Sequence, residues 1–296
     1  MTRAVELSIA TGGVVRVRLM CLFLLGLMCM ATAPEARGTV AFSLGSSQVD
    51  DGRAIAIDEV GNTYVTGRFR LTVDFDPGPG VFELTVPSGF ARYVASYDPA
   101  GALRYAIKID GGVQGLGEAG IGVDGMGNVY VTSNFTGLVD FDPGLGQQQL
   151  SAVDGRIFVA SYDSSGEYSY AINFGVNSGT LEVGTSIAVD AAGNSYVTGA
   201  FAGETDFDPT AGETIVESNG FTDIFLASYS SGGSLRFAVG IGGSSSDQGL
   251  GIAIDGSGNS YVSGFFRGSV DFDPALEELI LVSNGDEDAF LASYTD

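Results

Sequence analysis

The 296-residue sequence contains no histidine and no tryptophan, and its two cysteines, Cys21 and Cys29, both lie near the N-terminus. Without histidine, and without a thiol beyond residue 29, the usual catalytic triads and thiol nucleophiles are excluded. So is any disulfide in the body of the chain. A zinc ion would need an all-carboxylate site, against its habit of binding nitrogen and sulfur. The missing tryptophan weakens a sugar-stacking role. Lysine is almost absent too: Lys108 is the only one. No apolar run reaches the roughly 20 residues needed to span a bilayer. The longest, Leu19–Ala33, has 15.

What is present is acid and glycine. The formal charge is −23, and Arg3, Arg16, Arg18 and Arg37 all precede residue 39, so the remainder is more acidic still. Such a body repels phosphate backbones and attracts cations, which makes nucleic acid a poor partner. Glycine numbers 45. With no collagen period, that points to many tight turns between short strands.

Arg16 and Arg18, the apolar run and then Ala31-Thr32-Ala33 read as an export signal over residues 1–38, cleaved between 33 and 38. Neither cysteine follows a convincing lipobox. The expected location is secreted, periplasmic or at the cell surface.

From residue 39 the chain repeats itself. Asn62, Asn128, Asn194 and Asn259 sit in similar phrases at spacings of 66, 66 and 65. A long fixed period signals a repeat architecture. Each period reads as four strands. The first, "AIAID" (Ala54–Asp58), is apolar at both parities, with small and large residues alternating. The second is "TYVTGRF" (Thr63–Phe69), rich in β-branched and aromatic residues. Asp58 and Gly61 predict the turn between them. The third is "RYVASYD" (Arg92–Asp98) and the fourth "LRYAIKI" (Leu103–Ile109), joined by "DPAG". Four antiparallel strands, buried on both faces and repeated, describe an all-β propeller of about 66 residues per blade.

Between strands two and three lies "VDFDP", which returns at Val139, Thr205 (as "TDFDP") and Val270. Its alternation predicts an extra hairpin, with Val73 and Phe75 on one face and Asp74 and Asp76 on the other. "TVAFSLG" (Thr39–Gly45) aligns with a fourth strand, and the last period shows strands one to three. The expected outcome is a four-bladed ring closed by the N-terminal strand completing the last blade. The alternatives are a truncated chain or two open halves pairing into a larger ring.

With "GIAIDGSGNSYVSG", "DFDP", "DAFLASY" and the glycine pair Gly242-Gly243 in view, the chain resembles the bacterial beta-propeller repeat family of SBBP repeats over about Thr39–Asp296. The resemblance implies an exported or envelope-associated propeller and supplies no catalytic residues. The family's name implies seven blades, and this chain holds four periods.

Three groups of acids are candidates. Carboxylates two residues apart can share a calcium ion, which makes Asp74/Asp76, Asp140/Asp142, Asp206/Asp208 and Asp271/Asp273 candidate ligands. The phrase lacks the spacing and distal glutamate of a calcium loop, so a turn-forming and a solvated aspartate is the plainer reading. Asp50, Glu118, Glu182 and Asp247 precede the first strands and form a possible acidic ring at a channel mouth. That ring would need a cation or protonation unless it is simply solvated. Asp58, Asp124, Asp190 and Asp255 read as turn residues. No unique carboxylate pair emerges for glycosidase chemistry. The expectation is therefore a non-enzymatic binding or structural module with a protein or glycan partner. A calcium-stabilised propeller and a carboxylate-dependent carbohydrate-active enzyme are the alternatives.

Overall fold

A computed structural model describes residues 40–111, 118–144, 146–175, 182–273 and 278–295. The chain divides into Met1–Thr39 and Val40–Asp296. The expected signal segment and Thr39 lie outside the described residues.

The second part is built from strands alone among the described residues, and four units follow one another. The first comprises β1 (Asp51–Ile57), β2 (Thr63–Asp74), β3 (Glu83–Tyr97) and β4 (Leu103–Gly111). The second comprises β5 (Gly120–Val123), β6 (Val129–Asp140), β7 (Gln149–Tyr162) and β8 (Tyr168–Phe174). The third holds β9 (Val183–Val189), β10 (Ser195–Phe201), β11 (Glu204–Asp206), β12 (Ile215–Glu217), β13 (Asp223–Tyr229) and β14 (Leu235–Ile241). The fourth holds β15 (Gln248–Ile254), β16 (Ser260–Phe266), β17 (Ser269–Asp271), β18 (Ile280–Val282) and β19 (Asp288–Tyr294). Neighbours within a unit pair antiparallel, in the register the repeat predicts.

The inserted hairpin is present four times. In units one and two it prolongs the long middle strands. In units three and four it forms a separate two-stranded sheet, β11–β12 or β17–β18. The chain pivots into it through a left-handed residue. Gly137, Gly203 and Gly268 serve there with φ of 74, 69 and 71°, and Leu71 takes φ 56° in unit one. Glycine suits that backbone and leucine does not.

The phenylalanine of "DFDP" anchors each hairpin. Phe75, Phe141 and Phe207 are fully buried, and Phe272 nearly so. Each touches a phenylalanine of the second strand and an aromatic ring of the third, as Phe207 does with Phe201 and Phe225 at centroid distances of 5.6 and 5.3 Å. Its carbonyl accepts a hydrogen bond from the tyrosine ending the third strand. The donors are Tyr97 at 3.1 Å, Tyr162 at 2.9 Å, Tyr229 at 3.0 Å and Tyr294 at 3.2 Å.

The apolar cores lie mostly between units rather than within them. Val94 and Ile107 of unit one pack with Val131 and Phe158 of unit two. Ile157 and Phe174 pack with Ile187 and Phe225 of unit three. Ile224 and Leu226 pack with Val262 and Phe290 of unit four. A further cluster surrounds Phe69, Phe75 and Tyr97 in unit one, and Leu44 packs against it. The inner strands β1, β5, β9 and β15 follow one another side by side.

Val40–Leu44 forms no strand. It nevertheless lies against unit one as β4 lies against unit two. Gly101 faces Val40, Gly166 faces Tyr105 and Gly233 faces Tyr170, each so closely that a Cβ would push the facing side chain away. Among the described residues β19 pairs with β16 alone. The outer faces at the two ends do not cover each other: Ile55 is 69% and Leu291 74% exposed, against 5% for Ile187 and 0% for Leu226.

The tyrosine bond and the phenylalanine anchor should separate by magnitude. Tyr229→Phe leaves a buried carbonyl without its donor and is expected to cost about 1–2 kcal/mol. Phe207→Ala opens a cavity and is expected to cost about 3–5 kcal/mol. Thermal melting reads both, at about 2–4 °C per kcal/mol for a domain of this size.

Candidate functional site

The first aspartate of each hairpin phrase is a loop lock. Asp74 Oδ1 accepts N–H bonds from Asp76 at 3.0 Å and Phe82 at 2.8 Å. Asp140 does the same with Asp142 and Gln148, Asp206 with Asp208 and Thr214, and Asp271 with Asp273 and Leu279. One carboxylate oxygen thus ties the start of the excursion to its return, eight residues on. The second aspartate shapes the tip: Asp76, Asp142 and Asp208 accept the N–H two residues ahead. Both carboxylates of the first three hairpins are therefore engaged by backbone N–H groups.

The acids preceding the first strands behave similarly. Asp50 accepts from the N–H groups of Ser46 and Arg70, and Asp247 from those of Gly243 and Arg267. Each clamps its entering loop to the root of its own unit's hairpin. Glu182 is buried and accepts from the Thr205 hydroxyl at 3.2 Å, whereas Glu118 is exposed. Among the described residues no three acidic side chains converge on a point where a metal could sit.

Asp58, Asp124, Asp190 and Asp255 are turn residues, each accepting N–H bonds from the residues two and four ahead and a side-chain bond from the repeated asparagine. Burial alone would raise Asp58, but the bonds from Asn62 and Tyr64 hold it below the ordinary carboxylate value. Asp58, Asp124 and Asp190 also border a cavity of about 230 Å³ at the ends of the inner strands.

Two buried charged residues lie outside the acidic phrases singled out from the sequence. Arg92 is 1% exposed, where units two to four carry Ile157, Ile224 and Ala289. Its Nη2 donates to Ser133 Oγ at 2.7 Å, and desolvation lowers its pKa to about 10. Asp223, fully buried at the start of β13, accepts from Asn219 N–H, while its Oδ1 meets no donor. Burial, with the neighbouring Asp247, pushes it up to about 6. Arg92 replaces an apolar residue in one copy of the third strand, whereas Asp223 has a counterpart in Asp288, which likewise accepts the N–H of the residue four before it, Asn284.

Two concave features among the described residues are grooves alongside the hairpin tips. One, of about 480 Å³, runs between Tyr105–Lys108 of β4 and the Asp142–Gly144 tip of the following hairpin, floored by Gly166. Another, of about 600 Å³, runs between Val40–Phe42 and the Asp76–Gly78 tip of unit one, floored by Gly101. The two are built from equivalent residues. The first is bordered by Asp110, Asp140, Asp142 and Glu167, with Lys108 paired to Asp110 at 2.6 Å. Apolar strand residues thus meet carboxylates along this groove.

Comparison with known proteins agrees with the repeat. Residues 44–68, which cover β1 and the first half of β2, match the SBBP family, a beta-propeller repeat. The chain is 26% identical over 222 residues to the regulatory protein FlaEY of Caulobacter vibrioides, covering 73% of this chain and 22% of that protein. It is 26% identical over 246 residues to an uncharacterized WD repeat-containing protein, L264, of Acanthamoeba polyphaga mimivirus, covering 73% of this chain and 17% of that protein. The chain thus spans about a fifth of the length of these relatives.

Two measurements follow. Melting in excess EDTA and in millimolar calcium is expected to coincide, because the hairpin carboxylates already hold backbone donors. A rise of roughly 5–10 °C would instead establish a calcium-stabilised fold. The second concerns Asp223, which keeps its proton to about pH 6 when native, against 3.8 ordinarily. The native state then binds more protons than the unfolded one between those values, so stability falls as pH rises through them. Asp223→Asn removes that loss. Denaturant titration should find it more stable than the parent by about 2–3 kcal/mol at pH 8, with the gain gone below pH 4. An equal difference at both pH values would refute the assignment.

Proposed function

We propose that the chain forms four blades of an exported, acidic β-propeller and acts as a non-enzymatic binding module. The segment beginning at Val40 serves as the fourth strand that a last blade lacks, which closes the ring. Residues 1–38 act as the export signal, and the product is secreted, periplasmic or held at the cell surface. The observation that carries the binding reading is the groove built twice from equivalent residues, at successive junctions, with an acidic hairpin as one wall.

Repetition argues against catalysis. A general acid and its partner carboxylate need environments that separate their pKa values. Here the hairpin aspartates have the same backbone partners in every unit. A repeated groove suits a repeating ligand or an extended partner, since several weak contacts on one scaffold add by avidity. The partner is a protein segment or a glycan, and the net charge of −23 disfavours nucleic acid. The likeness to a regulatory protein and to a WD repeat-containing protein supports a non-catalytic role.

Paired assays on one set of polysaccharides test the reading. A glycan array is expected to show retention, and a reducing-end assay on the same glycans no turnover. The combined Asp142→Asn and Glu167→Gln change should weaken retention about tenfold, equivalent to 1.4 kcal/mol. Hydrolysis abolished by one carboxylate substitution would overturn the non-enzymatic reading in favour of a carbohydrate-active enzyme. Retention of proteins alone would place the partner in that class.

A further inference from the structure

The interface between successive units has two halves, and each half is also found bare at an end of the arc. On the leading side, Leu226 of β13 stands opposite Val239 of β14, as Val94 does opposite Ile107 and Val159 opposite Ile172. Leu291 holds the same place in β19: it pairs with Ser263 as Leu226 pairs with Thr198. Leu226 is fully buried, but Leu291 is 74% exposed. Tyr261 is bared in the same way, where its counterpart Tyr196 is buried.

The complementary half is on unit one. Ile121 and Ile187 turn from the inner strands toward the preceding unit and are covered by it. Ile55 and Ile57 take the same direction and are covered by nothing among the described residues. Val40 sits on Gly101 as Tyr105 sits on Gly166. Phe42 therefore occupies the place of Ile107 and Val239, the residues that stand opposite Val94 and Leu226. The bare strand edge and the segment that fits it are thus both in this chain, yet the segment is seated on unit one while the edge of β19 remains open.

We propose that the chain assembles head to tail with a second copy of itself. Val40–Leu44 of each copy adds to the β19 edge of the other, with Phe42 opposite Leu291. This deepens the propeller reading above and rests on it. The contact continues an interface the chain already makes three times between its own units. It is heterologous, and two such contacts related by a two-fold axis close the ring. Closure leaves neither β19 nor the bared isoleucines as a sticky edge.

Cysteine chemistry gives a direct test, because the described residues contain no thiol. In the full chain with Cys21 and Cys29 replaced by serine, Phe42→Cys and Leu291→Cys are introduced together. Opposed residues of an antiparallel pair stand about 4.5–5.5 Å apart, within disulfide range. Leu226→Cys with Val239→Cys is the internal control, expected to bridge within one chain. After mild oxidation the test pair is expected to leave more than half of the chain as a covalent dimer. Mixing the two single variants should give the same dimer. An internally bridged monomer would overturn the proposal and show that the chain closes its own ring. No bridge, with the control intact, would overturn it also. A control that fails to bridge would instead refute the strand register on which the propeller reading stands.

Discussion

Each unit depends on one bond and the ring beside it: a tyrosine hydroxyl at the end of the third strand donating to the carbonyl of the hairpin phenylalanine. The bond fixes where a long excursion leaves and re-enters the sheet. Without it, some ten residues of loop would hang from two strand ends. The phenylalanine supplies the apolar burial, and the hydroxyl supplies direction, since a buried carbonyl left without a donor is costly. The aromatic cluster around the anchor is the same in all four units. Phe266, Phe272 and Phe290 in the last repeat the edge-on and tilted contacts of Phe135, Phe141 and Phe158 in the second.

The fold was largely legible from the sequence because its determinants are local and repeated. Strand alternation, the asparagine period and the turn glycines each name a position in one unit. Gly61, Gly127, Gly193 and Gly258 do adopt positive φ in the turns where the pattern puts them. The reading of Val73 and Phe75 as inward and Asp74 as outward also holds, because strand parity settles it.

The acids were harder to read, for a physical reason. Whether a carboxylate binds an ion, water or the backbone depends on the path of the loop around it, and period alone does not reveal that path. Asp74 reaches an N–H eight residues away, and Asp247 one twenty residues away. Such bonds need the hairpin already folded back. The exceptions were harder still. Arg92 and Leu71 depart from the repeat, one reaching a serine of the neighbouring unit and the other sitting at a left-handed pivot. They are positions where one unit differs in kind from the others.

The two grooves have a property that follows from how their walls are attached. One wall, the hairpin tip, is fastened to its own unit by the tyrosine bond. The other is the fourth strand of unit one before the second hairpin, and the segment Val40–Phe42 before the first. Groove width therefore measures the angle between consecutive units. A ligand that prefers one width biases that angle, and the bias is reciprocal: bending the arc changes the affinity of every groove along it. Occupancy and curvature are in this sense one variable, and a partner spanning several junctions would set the shape of the whole arc.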